Sequence, residues 1–251
     1  MSTQSLAGGG YSYIPAVSQY SAGVVAEPGF RIERVRFSRV VPLREGFDLI
    51  ERHLAACDRP NTAFCACELR SPAPFTEAGF REFNAIYIET LKRWGLMTGD
   101  TNAVARSNVC PDVDPPAEPG FHAFCYTVRA KDAVPSFVVA GSGEAPEGKG
   151  DYRDNAIAFG DVSPAGLRKK AVFVLEAMES RLAALGFDWN AVTSTQVYTV
   201  HDIYPFLADE LVRRGTMRNG GLTWHFNRPP IQSLEYEMDC RGIAAEFILP
   251  A

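Results

Sequence analysis

The four histidines and six cysteines are the residues of this sequence best suited to metal or nucleophilic chemistry, and their spacing supports neither. His53, His122, His201 and His225 form no H-x-x-x-H or H-x-E pattern, so a zinc site has no support and no metal is expected. There is no G-x-S-x-G turn to raise a serine nucleophile and no G-x-x-x-x-G-K-[ST] loop to cradle a phosphate. The stretch GSGEAPEGKGD at 141–151 is glycine-rich, but it follows a strand without opening promptly into a helix. Cys110 and Cys125 fall in strand-like runs near Arg106, and neither has a sequence neighbour that would activate a thiol. The cysteines at 57, 65, 67, 110, 125 and 240 are too sparse for a disulfide framework. The C-x-C pair Cys65 and Cys67 has the spacing of two side chains on one strand face. All six are read as free thiols of a reducing cytoplasm.

The elements that would position any site follow from periodicity. RIERVRF reads as a strand ended by Pro42, and Phe47, Ile50 and Leu54 recur at helical spacing. NTAFCACELR is β-like. Thr76 caps a long helix, TEAGFREFNAIYIETLKRWG, stopped at Gly95. NAVARSNV and GFHAFCYTVRA read as strands flanking a proline-rich loop. The order then repeats. PSFVVAGSG is a strand, and Ser163-Pro164 opens a helix whose apolar stripe runs Leu167, Ala171, Val174, Met178, Leu182, Leu185 before Gly186. VTSTQVYTV is a strand, DIYPFLADELVRRG a helix, and GLTWHF and LEYEMDCRG two strands. The repetition implies an α+β fold of two tandem units, each a sheet with two helices on one face. A flexible stretch at 1–10 precedes a first domain at 11–132 and a second at 133–251, with the boundary near Lys131 to Pro135.

Several motifs resemble the Rid (YjgF-type) family of imine deaminases. In the first half these are Pro15-Ala16 followed by Tyr20, then SRVVP from Ser38 to Pro42. Phe80-x-x-x-Asn84-x-x-Tyr87 follows, and the strand motif Ala105-Arg106-Ser107-Asn108-Val109. In the second half, Ser142-Gly143-Glu144-Ala145-Pro146 matches the family's SGxxP turn, and Leu234-Glu235-Tyr236-Glu237 is similar to its terminal acidic strand. The halves are complementary: Gly220 stands near the arginine position of the second, and His122 or Phe124 near the glutamate position of the first. The resemblance implies chorismate-mutase-like domains, a homotrimer and no cofactor. It also implies sites shared across a domain or subunit interface.

Hydrolysis of an imine needs little machinery. On the resemblance, Arg106 grips a substrate carboxylate through its planar fork, Glu235 orients water, and the Ser142-Gly143 turn steadies developing charge. Tyr20, Ser38, Asn84 and Ser107 complete the expected binding set. Each has a plainer reading. A mid-strand arginine is commonly salt-bridged at the surface, and Glu235 could be an exposed strand residue. Ser142 and Gly143 could simply form a turn, Asn84 could bond backbone, Tyr20 could be a core aromatic, and His122 a packed strand histidine.

With 25 Lys+Arg against 30 Asp+Glu the net charge is −5, which argues against nucleic acid as a partner and against the ribonuclease activity known in the family. No apolar run approaches the roughly 20 residues that a membrane span needs, and the N-terminus carries no signal peptide. The leading expectation is a cytoplasmic deaminase or hydrolase of a small imino or enamino carboxylic acid. An aminomuconate-like dicarboxylate is a candidate, because the family includes such deaminases. The alternative is a carboxylate-binding or regulatory protein that has lost catalysis.

Overall fold

A computed structural model describes residues 2–131 and 134–251, so the expected boundary at 132/133 lies outside the described residues. The chain is mixed α/β, built on two large sheets. Its strands are β1 (Gln4–Leu6), β2 (Tyr11–Ile14), β3 (Gly23–Ala26), β4 (Phe30–Pro42), β5 (Phe64–Arg70), β6 (Met97–Thr98), β7 (Thr101–Asn102) and β8 (Ala105–Pro111). These are followed by β9 (Gly120–Arg129), β10 (Phe137–Gly143), β11 (Ser194–Tyr198), β12 (Leu222–His225), β13 (Asn227–Arg228), β14 (Glu237–Gly242) and β15 (Glu246–Leu249). The helices are α1 (Leu43–Ala56), α2 (Glu77–Arg93), α3 (Tyr152–Asn155), α4 (Pro164–Leu185) and α5 (Tyr204–Phe206). Where an uninterrupted helix was expected after Ile203, α5 passes into a π-helical turn at Leu207–Val212.

The two long central helices form where their caps dictate. Thr76 Oγ1 accepts the Gly79 amide at the start of α2, and the turn after it closes on Gly95 at φ +74°. Ser163 Oγ accepts the Gly166 amide of α4, Pro164 fills the first turn, and Gly186 caps the end at φ +88°. Both bury one face. Phe80, Phe83, Tyr87 and Leu91 of α2 join Phe47, Ile50 and Leu54 of α1 in one core, and the α4 stripe packs with β10, β11 and β14 in another. Each fully buried side chain of this size contributes roughly 1.5–3 kcal/mol.

The six-stranded sheet has the order β13-β8-β5-β9-β4-β15 and the seven-stranded sheet β1-β2-β3-β10-β14-β11-β12. Inside them, the blocks β8-β5-β9-β4 and β12-β11-β14-β10 share one pattern. The first pair of each is parallel and the next two antiparallel. Strands are also traded between the halves. Residues 4–6, expected in a flexible N-terminus, form β1 and extend the second sheet with β2 and β3. β15 runs parallel to β4 at the edge of the first sheet.

Where the sheets face each other the layer is polar. Arg34 Nε and Nη2 donate to the two carboxylate oxygens of Glu68 at 2.6 and 2.8 Å, and Arg241 approaches Glu68 from the other sheet at 3.7 Å. Burial opposes ionisation of Glu68, but Arg34 and then Arg241 outweigh it and hold the carboxyl well below its ordinary range. His122 stands on β9, 4.0 Å from Glu68, where burial and Arg70 lower it to about 3 and keep it neutral. It is a packed strand histidine. The six cysteines are free thiols, and no described helix is long and apolar enough to cross a membrane.

Candidate active site

β8 carries alternate side chains to opposite faces. Ser107 lies with Glu68 and Asp239 at the polar layer, whereas Arg106 turns toward α2. Arg106 is only 3% exposed. Its guanidinium sits 4.8 Å from the Tyr87 ring centroid, and 5.7–5.8 Å from those of Tyr20, Phe80 and Phe83. Nη1 has no hydrogen-bond partner among the described residues. The salt-bridged reading of this arginine therefore fails: aromatic faces hold the charge, and each is worth about 0.5–2 kcal/mol, less than the desolvation of a buried ion.

Arg106 lines a cavity of about 30 Å³ with Tyr20, Asn108, Gly141, Gly143, Tyr152, Leu234 and Glu237. Such a volume holds about one water. The cavity lies between the sheets' neighbouring strands, with Arg106 and Asn108 from β8 and Gly141, Gly143 and Glu237 from β10 and β14. Glu237 is 4% exposed. Burial first, then Asp239 and Glu144, raise its pKa well above the ordinary carboxyl value, against the pull of Arg106 and Arg70. Burial thus favours its protonated form relative to an ordinary carboxyl.

The turn opposite Arg106 is held open by a bulge. The register of β10 on β14 slips between Val139 and Ser142, which takes the carbonyls of Ala140 and Gly141 out of the ladder. Arg181 of α4 satisfies them, its Nη1 donating to Ala140 O at 3.0 Å and to Gly141 O at 3.4 Å. Its Nη2 donates to Glu147 at 2.6 Å and to Ser142 Oγ at 3.4 Å. The Tyr20 hydroxyl donates to the same Glu147 carboxylate at 2.8 Å, so one side chain ties the Tyr20 loop, the bulge and α4 together. A Cβ at position 141 would crowd Glu237 Oε1 and Ser107, so the glycine lets β10 approach the Glu237 side chain.

The residues expected from sequence distribute unevenly. Arg106, Tyr20 and Gly143 line the cavity, and Ser142 is held beside it by Arg181. Asn84 is buried on the α2 face that presents Phe80, Phe83 and Tyr87, and neither of its amide atoms has a partner among the described residues. Ser107 faces the other way. Ser38 is exposed on β4, where its hydroxyl accepts the Ala251 amide. Glu235 does not line the cavity: its carboxylate is 2.8 Å from His201 Nε2. Its amide donates to Glu144 Oε1 at 2.6 Å and the next amide, of Tyr236, to Glu144 Oε2 at 3.0 Å, and it is Glu237, two residues on, that lines the cavity with Arg106. Sequence reasoning did not single out Arg181, Asn108 or Glu237. A signal for Arg181 existed, since it and the wholly buried Lys170 interrupt the apolar stripe of α4 at core positions.

Arg106 and Glu237 thus share one small buried cavity, a guanidinium and a carboxyl whose ionisation burial opposes. The family described as 2-aminomuconate deaminase CnbZ matches residues 3–247, and the chain belongs to it. The chain is similar to the 2-amino-5-chloromuconate deaminase of Comamonas testosteroni, with 55% identity over 243 residues and 96% of each chain covered. Among solved structures, a chorismatase aligns with a TM-score of 0.49 at 10% identity, covering 89% of this chain and 77% of that one. The YjgF gene product of E. coli aligns with a TM-score of 0.30 at 13% identity, covering 43% of this chain and 80% of that one.

Proposed function

We propose that this chain is a deaminase of a 2-aminomuconate-type substrate, a six-carbon unsaturated amino dicarboxylate. The observation that carries the reading is Arg106, buried with Nη1 unpartnered at the cavity that Glu237 also lines. Arg106 holds the carboxylate next to the amino-bearing carbon. Glu237, as the acid, gives its proton to the carbon chain of the enamine and turns it into an iminium. Water adds to the iminium carbon, and a proton passes from the added oxygen to nitrogen. The C–N bond breaks, ammonia leaves, and the hydroxyl proton returns to Glu237 as the carbonyl forms. The sum is enamine plus water giving ketone plus ammonia. The test is ammonia release from 2-aminomuconate by the purified chain. No release, with the chain folded, ends the reading.

The architecture proposed alongside is a tandem of two Rid-type, chorismate-mutase-like units, supported by the strand pattern shared by the two four-strand blocks. We also propose a cytoplasmic homotrimer. Exposed Trp224 on β12, Phe226 just after it, and Phe247 and Ile248 on β15 support burial of these strands between copies. Sedimentation of a monomer at micromolar concentration would refute the trimer.

A further inference from the structure

The cavity beside Arg106 has room for about one water, so a six-carbon substrate reaches Arg106 and Glu237 only if a wall moves. The wall built to move is the stretch between β10 and α4. None of residues 146–163 is buried and none belongs to a strand, yet Tyr152 within it lines the cavity. Few buried contacts and few bonds to the body mark a segment that opens locally, far below the free energy of global unfolding.

The stretch is a loop with a fixed neck. Glu144 O accepts the Ile157 amide at 2.8 Å. The wholly buried Lys170 ammonium donates to Glu144 Oε1 at 3.2 Å and to Ile157 O at 3.0 Å. The two ends, Glu144 and Ile157, thus meet on one buried cation, as in an Ω-loop. Glu147, close to the first end, is held by Tyr20 and Arg181. Just beyond it Gly148 and Gly150 stand at φ +68° and +96°, backbone that other residues resist. Within 148–156, Asn155 Nδ2 donates to the carbonyls of Lys149 and Asp151, and the Ala156 amide to Tyr152 O, so these residues hold together as a unit. Toward the body the unit makes one hydrogen bond among the described residues. The Tyr152 amide donates to Glu77 Oε1 at 2.8 Å, in the first turn of α2.

Building on the deaminase reading, we infer that residues 148–156 are a flap over the reaction site, latched by Glu77, whose lifting withdraws Tyr152 from the cavity wall and admits substrate. Gly148 and Gly150 form one pivot and the neck the other. Opening breaks one hydrogen bond and the contacts of the partly buried Tyr152 and Ala156, whereas freeing the neck would strip a buried ion pair. The flap therefore moves and the neck does not. Closure over substrate shields the reacting carbon from bulk water.

Hydrogen exchange on the full chain, read amide by amide by NMR, tests this. In the free protein the bonded amides of Tyr152 and Ala156 should exchange about a hundredfold or more faster than the Ile157 amide of the neck. Saturating muconate, an unreactive six-carbon diacid, should slow both by about tenfold or more, and Arg106→Ala should abolish that protection. Glu77→Ala removes the latch. The Ala156 amide, whose own acceptor is untouched, should then exchange about fivefold faster. Glu77→Gln keeps an acceptor for the Tyr152 amide and should stay close to the parent, and thermal melts establish that each variant folds. Tyr152 and Ala156 amides as slow as that of Ile157 overturn the flap, and so does an Ala156 rate unchanged in Glu77→Ala. Muconate that binds by calorimetry without slowing either amide overturns it as well. A flap that opens in the free protein, in a chain that releases no ammonia from 2-aminomuconate, ends the deaminase reading and leaves the flap standing.

Discussion

The guanidinium of Arg106 stacks on Tyr87 at 4.8 Å while the Tyr87 hydroxyl sits 3.3 Å from Cys67 Sγ, so the aromatic face that holds the charge is itself pinned to the neighbouring strand. A cation held this way keeps its N–H groups free for a ligand, which a carboxylate partner would have consumed.

Arg106→Ala should therefore separate function from stability. Transition-state stabilisation should fall by about 2–4 kcal/mol, because the substrate carboxylate loses a buried charged partner. The melting temperature should stay level or rise, since an unpaired buried charge is removed. Arg106→Lys should recover only part of the activity, lacking the planar fork. A variant with full turnover would remove Arg106 from the site.

The two neighbouring glutamates should behave differently. Glu237→Gln removes the proton donor and should lower kcat by about 10²–10⁴-fold with ligand affinity little changed. Glu235→Gln alters only the contact with His201 and should keep turnover within a few-fold. Equal losses in both variants, measured by steady-state kinetics, would refute the assignment to Glu237.

Glu237 also sets a pH dependence. Its folded pKa lies above the unfolded value, so its contribution to stability is complete below the unfolded pKa near 4.5 and is lost as pH rises through the folded one. Asp239, raised to about 6 by burial and then Glu68, acts in the same direction. Stability should decline as pH rises above about 5, through the value of about 6 for Asp239 and beyond it for Glu237, and Glu237→Gln should reduce the slope. Denaturant midpoints at several pH values check this, and a slope identical in both proteins contradicts it.

Arg181→Met should strip the bulge carbonyls and Glu147 of their shared donor. The expected cost is about 2–4 kcal/mol, discounted because Glu147 remains partly in water. Turnover should fall as well, since the turn at Ser142 loses its support. A melting temperature equal to that of the parent would show that the carbonyls find other partners.

Gly141→Ala tests the closeness of β10 to Glu237. The added methyl meets Glu237 Oε1 and Ser107, and overpacking of this kind costs about 1–3 kcal/mol. Catalysis should suffer more than stability, because Glu237 is the group displaced. Unimpaired kinetics would mean that the acid does not work from this position.

Local chemistry was legible in the sequence where local chemistry decides. The caps Thr76, Ser163 and Gly186 and the apolar stripe of α4 place both long helices. The Ala105–Val109 motif identifies Arg106 before any contact is known. The strands β13 and β15 were not legible, because each exists only by pairing with residues far away in the chain, as β15 does with β4, and the local β1–β2–β3 ribbon is tied to a sheet only through the distant β10. Glu237 was hidden for a related reason. Strand alternation treats positions 235 and 237 alike, but Glu235 lies before β14, with its carboxylate on His201 and its amide held by Glu144, 91 residues earlier. The orphaned amides of Asn84 and Asn108 are properties of burial, which no spacing encodes.

The trading of edge strands has a consequence for biosynthesis. The first sheet lacks its outer ribbon until residues 246–249 have left the ribosome, and residues 4–26 have no sheet to join until β10 is made. The N-terminal half thus waits through most of translation with an unpaired edge on β4, a template for pairing with other chains. A chain stalled or trimmed before Glu246 should be retained by chaperones or aggregate, even though the residues lining the cavity are all present.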